Sequence, residues 1–128
     1  KEIYSNPLVD STGSLYSIVK TIKRFLNENK GKRKILIFSK INNLADLEYQ
    51  IHKEIFSEIS EDFDSAILIG MNDMANTFRT FNKKTIIKKI SSFNQNSLIK
   101  IKNFIKWRKN EETAFLILST EEKICSIV

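Results

Sequence analysis

Cysteine is nearly absent from this chain of 128 residues, where Cys125 stands alone. One thiol excludes an internal disulfide and leaves no cysteine cluster for zinc, so a reducing, cytoplasmic setting is the expectation. Long apolar runs are missing as well. None approaches the roughly 18 residues that a membrane span needs, and the stretch 15–26 is broken by Lys20, Lys23 and Arg24, which excludes it as a secretory signal. Glycine is absent from the turn between Phe38 and Leu44, and no GxxxxGK[ST] loop occurs anywhere. A phosphate-cradling loop needs the close backbone approach that glycine permits, so the chain by itself is not expected to hold ATP in the P-loop manner. Histidine is limited to His52. With no second His or Cys near it, His52 reads as a helix-surface or boundary residue rather than a metal ligand or general base. No catalytic residue and no metal site are expected. The first residue is Lys1 rather than Met, as in an excised piece of a longer protein.

What is present is strongly patterned. Between Asp46 and Asp73 eight acids face a single base, Lys53, whereas between Arg79 and Lys109 there are ten bases and no acid. A basic surface of that kind suits a polyanion. Lysine dominates it, however, while readers of nucleic acid interleave arginines and exposed aromatics, so a solvated face is the default expectation. Trp107 is read as an anchor at the core edge rather than a stacking platform.

Periodicity outlines the elements. Ser11 or Thr12 can cap a helix whose apolar positions Leu15, Ile18, Val19, Ile22, Phe25 and Leu26 recur at steps of three and four. Gly31 sits where a helix-ending glycine belongs. Residues 35–38 form a strand too continuously apolar to have a wet face, as in a parallel sheet covered on both sides. Asn43 can cap a second helix with Leu44, Leu47, Ile51, Ile55 and Ile59 as its buried stripe. Residues 66–69 make a second strand ending at Gly70, and a short helix is expected over 73–78. A third strand over 85–90 is interrupted by lysines; Asn96 or Ser97 then caps a helix bearing Leu98, Ile101, Phe104 and Ile105. Residues 114–118 form a fourth buried strand, and the last nine residues begin a helix or an edge element. Strands and helices alternate over short connections with no linker or repeat. The expectation is one α/β domain over 1–128, Rossmann-like and doubly wound, its sheet mostly parallel with helices on both faces.

Two serines follow strands, Ser39 and Ser119, and can face the ligand edge of such a sheet, although strand-end serines also serve as ordinary caps. Beyond this, the register of 37–55, IFSKINNLADLEYQIHKEI, is similar to the strand–turn–helix that opens the C-terminal domain of Mur ligases. It is most like the type that joins D-alanyl-D-alanine to a UDP-muramoyl-tripeptide. That family has a GDM-x-ELG turn and a helix carrying an L-H-x-E/x-hydrophobic signature; Leu44 falls on the family leucine, and Ile51, His52 and Ile55 on the helix signature. Upstream, Tyr4, Asn6 and Pro7 resemble a Y-N-x-N-P segment that precedes a D-S pair, here Asp10 and Ser11. Residues 67–70 resemble a strand ending in hydrophobic-G. The closing FLILSTEEKICSIV, 115–128, resembles L-V-K-G-S-x-x-x-x-M-E-x-V-V, with Ser119 on the serine and Ile127 and Val128 on the final pair. The chain departs from the pattern where Ser39, Lys40 and Asn43 replace glycine, aspartate and glutamate, and where Ile117 and Leu118 replace lysine and glycine.

The resemblance implies a three-domain ligase whose central domain carries ATP and magnesium and activates a carboxylate as an acyl phosphate. The C-terminal domain orients the incoming amine and closes the site, so this chain alone would be catalytically inert. Tyr4, Asn6 and Pro7 would lie at the hinge and nucleotide edge, Ser39 and Ser119 at the substrate edge. The implied partners are the preceding ATP-binding domain, the UDP-muramoyl-peptide and D-alanyl-D-alanine, and no membrane. Residues 14–39 and 115–120 also resemble the second RecA-like lobe of a Snf2-type helicase, with its K-x-L-I-F-S strand and later L-S-T. In that lobe nucleic acid is the partner and the sheet would stay open beside Leu118. A non-catalytic α/β binding module is a third alternative.

Overall fold

Runs of β-branched and aromatic residues build the strands, and glycine or asparagine turns separate them from helices with one apolar face. The computed structural model describes residues 8–59 and 62–126. Their order is β1 (Leu8–Asp10), α1 (Leu15–Glu28), β2 (Arg33–Ser39), α2 (Glu48–Ile59), β3 (Ser65–Ile69), α3 (Ala75–Phe81), β4 (Ile86–Ile90), α4 (Gln95–Arg108), β5 (Thr113–Leu118) and α5 (Glu122–Cys125). Short 3-10 turns, Ala45–Leu47 and Asn72–Met74, lead into α2 and α3.

The strands form a five-stranded sheet in the order β1-β5-β2-β3-β4, and every neighbouring pair is parallel. Parallel strands need crossovers, and the crossover helices divide between the two faces. On one face, Ile18, Ile22 and Phe25 of α1, Ile55, Phe56 and Ile59 of α2 and Phe78 of α3 pack on Leu36, Phe38, Leu68 and Leu116. On the other, Ile101 and Ile105 of α4 and Ile124 of α5 cover Ile35, Ile37, Ile67 and Ile117. This is the doubly wound α/β fold expected from the sequence. Strands β2 and β5 are buried on both sides, which is why their sequences lack the alternation of a half-wet strand.

Several local expectations are corrected. The chain has a further strand, β1, whose three residues pair with Leu116, Ile117 and Leu118. The residue that caps α1 is Ser14, whose side chain accepts from the Ser17 N–H, rather than Ser11 or Thr12. Asn43 caps nothing; it adopts φ 65°, and Leu44 starts the 3-10 turn without a side-chain cap. The cap of α4 is Asn94, which accepts from Ser97 N, so neither Asn96 nor Ser97 plays that part. Ser97 is instead buried, its hydroxyl donating to the Ser92 carbonyl. Leu47 is exposed, and His52 and Phe56 take its place in the core stripe of α2. Trp107 is exposed too, and anchors no core.

Candidate functional site

In a doubly wound sheet, ligands bind outside the carboxyl ends of two neighbouring strands whose connections leave toward opposite faces. Strands β2 and β5 are such a pair. The chain leaves β2 for α2 on one face and leaves β5 for α5 on the other. Ser39 ends β2 and Ser119 follows β5, so both sit at this switch point. Their hydroxyl oxygens lie 3.0 Å apart. Each side chain is only 5% exposed. The Ser119 oxygen also accepts the Glu121 N–H at 3.0 Å, an ordinary turn contact. The serine pair thus ties two loops together and uses one of its two hydroxyl protons in doing so.

Three loops close around the pair. Gly13, after β1, has φ 67°, and a Cβ there would stand 3.1 Å from the Thr120 methyl and 3.6 Å from Ile41. Glycine takes that backbone without strain and relieves that close approach. Gly70, after β3, has φ 73°; its N–H donates to the Ile90 carbonyl and a Cβ would meet Lys40. The loop after β2 is held from beneath by His52. The buried imidazole accepts the Ile41 N–H at Nε2, 3.0 Å, and its Nδ1 lies 2.7 Å from the Glu48 carbonyl. A carbonyl can only accept, so Nδ1 carries the proton and Nε2 is bare. Burial holds this imidazole below its ordinary pKa, reinforced by the charge of Lys40, against the opposing pull of the Glu48 carbonyl, the Glu48 carboxylate and Asp73. On the surface of the same loop Lys40 pairs with Glu48 at 3.1 Å.

Asp10 anchors the third side. Burial pushes its pKa up, but hydrogen bonds from Thr12, Thr21 and Ser17 outweigh this and hold the carboxyl below its usual range. Thr12 donates through both backbone and hydroxyl, at 3.0 and 2.7 Å, and Ser17 and Thr21 donate to the other oxygen at 2.8 and 2.7 Å. The buried carboxylate is fully occupied and joins β1 to the first turns of α1. Its sequence signal is Ser17 and Thr21, four apart on one helix face and aimed back at an acid with a threonine two residues on. The thiol of Cys125 donates to the Ser119 carbonyl at 3.1 Å, which supports the loop, and burial raises its pKa.

Of the residues proposed from sequence, Ser39 and Ser119 are brought together, whereas Tyr4, Asn6 and Pro7 lie outside the described residues, as do Ile127 and Val128. The turn over 39–45 departs from a phosphate-binding loop in containing no glycine. Among the described residues there is no group of three His, Cys, Asp or Glu side chains able to hold a metal ion. The polar side chains gathered here, Asp10, Ser39, His52 and Ser119, are engaged in hydrogen bonds within the protein. Among the described residues no helix is long and apolar enough to cross a membrane.

The sheet closes around β5, which is paired by β1 on one side and β2 on the other. The open edge beside Leu118 that the helicase reading required is filled. No protein-family model matches the sequence, and no curated protein matches it significantly. Solved structures do share its architecture. A domain assigned to a UDP-N-acetylmuramate:L-alanyl-gamma-D-glutamyl-meso-diaminopimelate ligase from Haemophilus ducreyi superposes with a TM-score of 0.57 at 11% identity, over 96% of this chain and 90% of that one. The ADP complex of the MurF ligase from Thermotoga maritima gives 0.54 at 15% identity, and covers 94% of this chain. MurF from Acinetobacter baumannii gives 0.51 at 15% identity, over 88% of this chain. The chain spans only 25% and 24% of those two MurF chains. Its fold is that of a domain found in Mur ligases.

Proposed function

We propose that this chain is the C-terminal, amine-orienting domain of a divergent ATP-dependent Mur ligase, acting in the cytoplasm on a UDP-muramoyl-peptide. The observation that carries this reading is the gathering of Ser39, Gly70 and Ser119 at one strand edge within a fold shared with Mur ligase domains. In such a reaction a preceding domain holds ATP and magnesium, and the substrate carboxylate becomes an acyl phosphate with release of ADP. The incoming amine attacks the acyl carbon, the amide forms and phosphate leaves. The part of this chain is to hold the amine-bearing substrate. The hydroxyl proton of the Ser39–Ser119 pair that is not spent within it suits a carboxylate such as that of D-alanyl-D-alanine. Positioning of this kind acts by raising effective concentration, so displacement of the pair weakens the reaction without abolishing it.

Titration of the isotope-labelled chain with D-alanyl-D-alanine and UDP-muramoyl-tripeptide, followed by amide NMR, tests the assignment. Shifts confined to Ser39–Ile41, Gly70 and Ser119–Glu121 support it; unperturbed amides at those positions overturn it. In the parent enzyme, Ser119→Ala is expected to raise KM for the dipeptide about tenfold while phosphate release at saturation changes little.

A further inference from the structure

At the opposite end of the strands the sheet is left bare. Helix α4 crosses from the edge strand β4 to β5 and covers β2 and β5, leaving a groove of 580 Å³ between its outer side and the first halves of β3 and β4. That volume lies in the range, roughly 300–1,000 Å³, of pockets that seat ring-bearing ligands. Four cations line it: Arg33, Lys88, Lys100 and Arg108. Two rings stand among them. Trp107 is 80% exposed, and the Arg108 guanidinium carbon lies 3.8 Å over the centre of the Phe104 ring. Lys88 is paired in register with Ile67, so it shares the face of the sheet on which α4 packs. Asp64, which precedes the groove residue Ser65, spends its carboxylate on the Lys34 N–H at 2.8 Å.

From this geometry we infer that the α4–β4 groove binds single-stranded nucleic acid. Its cations meet the phosphates while Trp107 and the Arg108–Phe104 stack receive unpaired bases. Charge and shape select this occupant over others. Beyond the groove lining, α4 carries two further exposed cations, Lys102 and Lys106, and no acid, which suits a polymer rather than one nucleotide. An acidic protein segment does not carry one ring per charge as a nucleotide chain does, a bilayer surface does not enter a concave groove, and a duplex hides the faces of its bases. From sequence a solvated face was the default, because lysines dominate and Trp107 reads as a core-edge anchor; the fold adds Arg33 from a distant strand and turns Trp107 outward. The groove lies at the far end of the sheet from Ser39 and Ser119, and the inference is independent of the ligase reading.

Trp107 is the sole tryptophan, so its fluorescence reports on the groove directly. The chain is titrated with a twelve-residue oligothymidylate at low salt, with anisotropy of a labelled oligomer as the second readout. Saturable quenching is expected, and affinity should fall with salt with a logarithmic slope of about −3 for four engaged cations. Lys88→Glu with Lys100→Glu should weaken binding at least tenfold, and Trp107→Ala about tenfold. The same charge change on the opposite face, Lys20→Glu with Lys23→Glu on α1, should change it less than twofold. All five side chains are exposed, so the core is untouched. The inference is overturned if the oligomer fails to bind, if both charge-reversed pairs weaken it equally, or if Trp107→Ala leaves affinity unchanged. Tighter binding to phosphatidylserine vesicles or to polyglutamate than to the oligomer also overturns it.

Discussion

His52 shows how one polar residue in a core can organise a loop. Its ring sits 5.8 Å from that of Phe38 and 6.3 Å from that of Phe56, and both its nitrogens are engaged. Protonating Nε2 would set one N–H against another, so the depressed pKa and the geometry have a common origin. The folded state binds this proton less readily than the unfolded chain. Stability from His52 is therefore fully present above its ordinary value of 6.5 and is lost as pH falls through the lowered folded pKa. The urea midpoint of the native chain should drop between pH 7.5 and 5. His52→Phe keeps a ring but orphans the Ile41 N–H, costing about 2 kcal/mol at pH 7.5, and its midpoint should be flatter over the same range. An equally steep profile in the variant would refute the assignment. Ala45 makes a complementary case. Ala45 adopts φ 49°. A Cβ in that left-handed region costs about 1 kcal/mol. Ala45→Gly should accordingly raise the melting temperature by about 3 °C, whereas glycine at Asn43, with φ 65°, should gain less, because asparagine tolerates the region.

Among the elements, β1 depends most on a single side chain. Three residues pair it to β5, and the Asp10 carboxylate ties its end to Thr12, Ser17 and Thr21. Asp10→Ala leaves those donors without their acceptor and should cost about 3 kcal/mol. Because the folded pKa of Asp10 lies below its ordinary 3.8, that contribution is complete above pH 3.8 and disappears as pH falls through the folded value. In urea denaturation the gap between the two forms should be narrower at pH 2.5 than at pH 7. The same residues explain what could be read from sequence. β2, β3 and β5 were legible because each carries at least four successive buried apolar residues. β1 was not, since three residues carry no period and its partner lies more than a hundred positions away. Of the stripe read for α2, Ile55 and Ile59 are buried and Leu44 and Ile51 pack against the core; Leu47 fails because it lies in the 3-10 turn and faces water, while His52 and Phe56 complete the buried set. Ser39 and Ser119 were legible as strand ends, but their mutual hydrogen bond depends on β2 and β5 being neighbours, which no local pattern encodes.

At the scale of the whole molecule the two faces and two edges of the sheet are unequal, and this sets where it opens. β5, β2 and β3 are interior strands, and Ile35, Leu36, Ile37, Phe38, Leu116 and Ile117 have no exposed surface. β4 is an edge strand whose Ile86, Lys88 and Lys89 face water, and the bare groove beneath α4 leaves it with little cover on that side. Edge lysines prevent such a strand from pairing with another chain, at the expense of burial. Opening free energies within a domain follow the apolar contacts that must be broken. Native-state hydrogen exchange should therefore rank amides of β2 and β5 with global unfolding, while those of β4 exchange through a local opening several kcal/mol lower. Denaturant should accelerate the first group strongly and the second hardly at all. Equal protection and equal denaturant sensitivity in β4 and β2 would mean that the edge strand is held by something other than the contacts seen here. Oligonucleotide in the α4–β4 groove should slow the β4 amides selectively, because a ligand that binds only the closed form suppresses that opening and leaves exchange by global unfolding the dominant route.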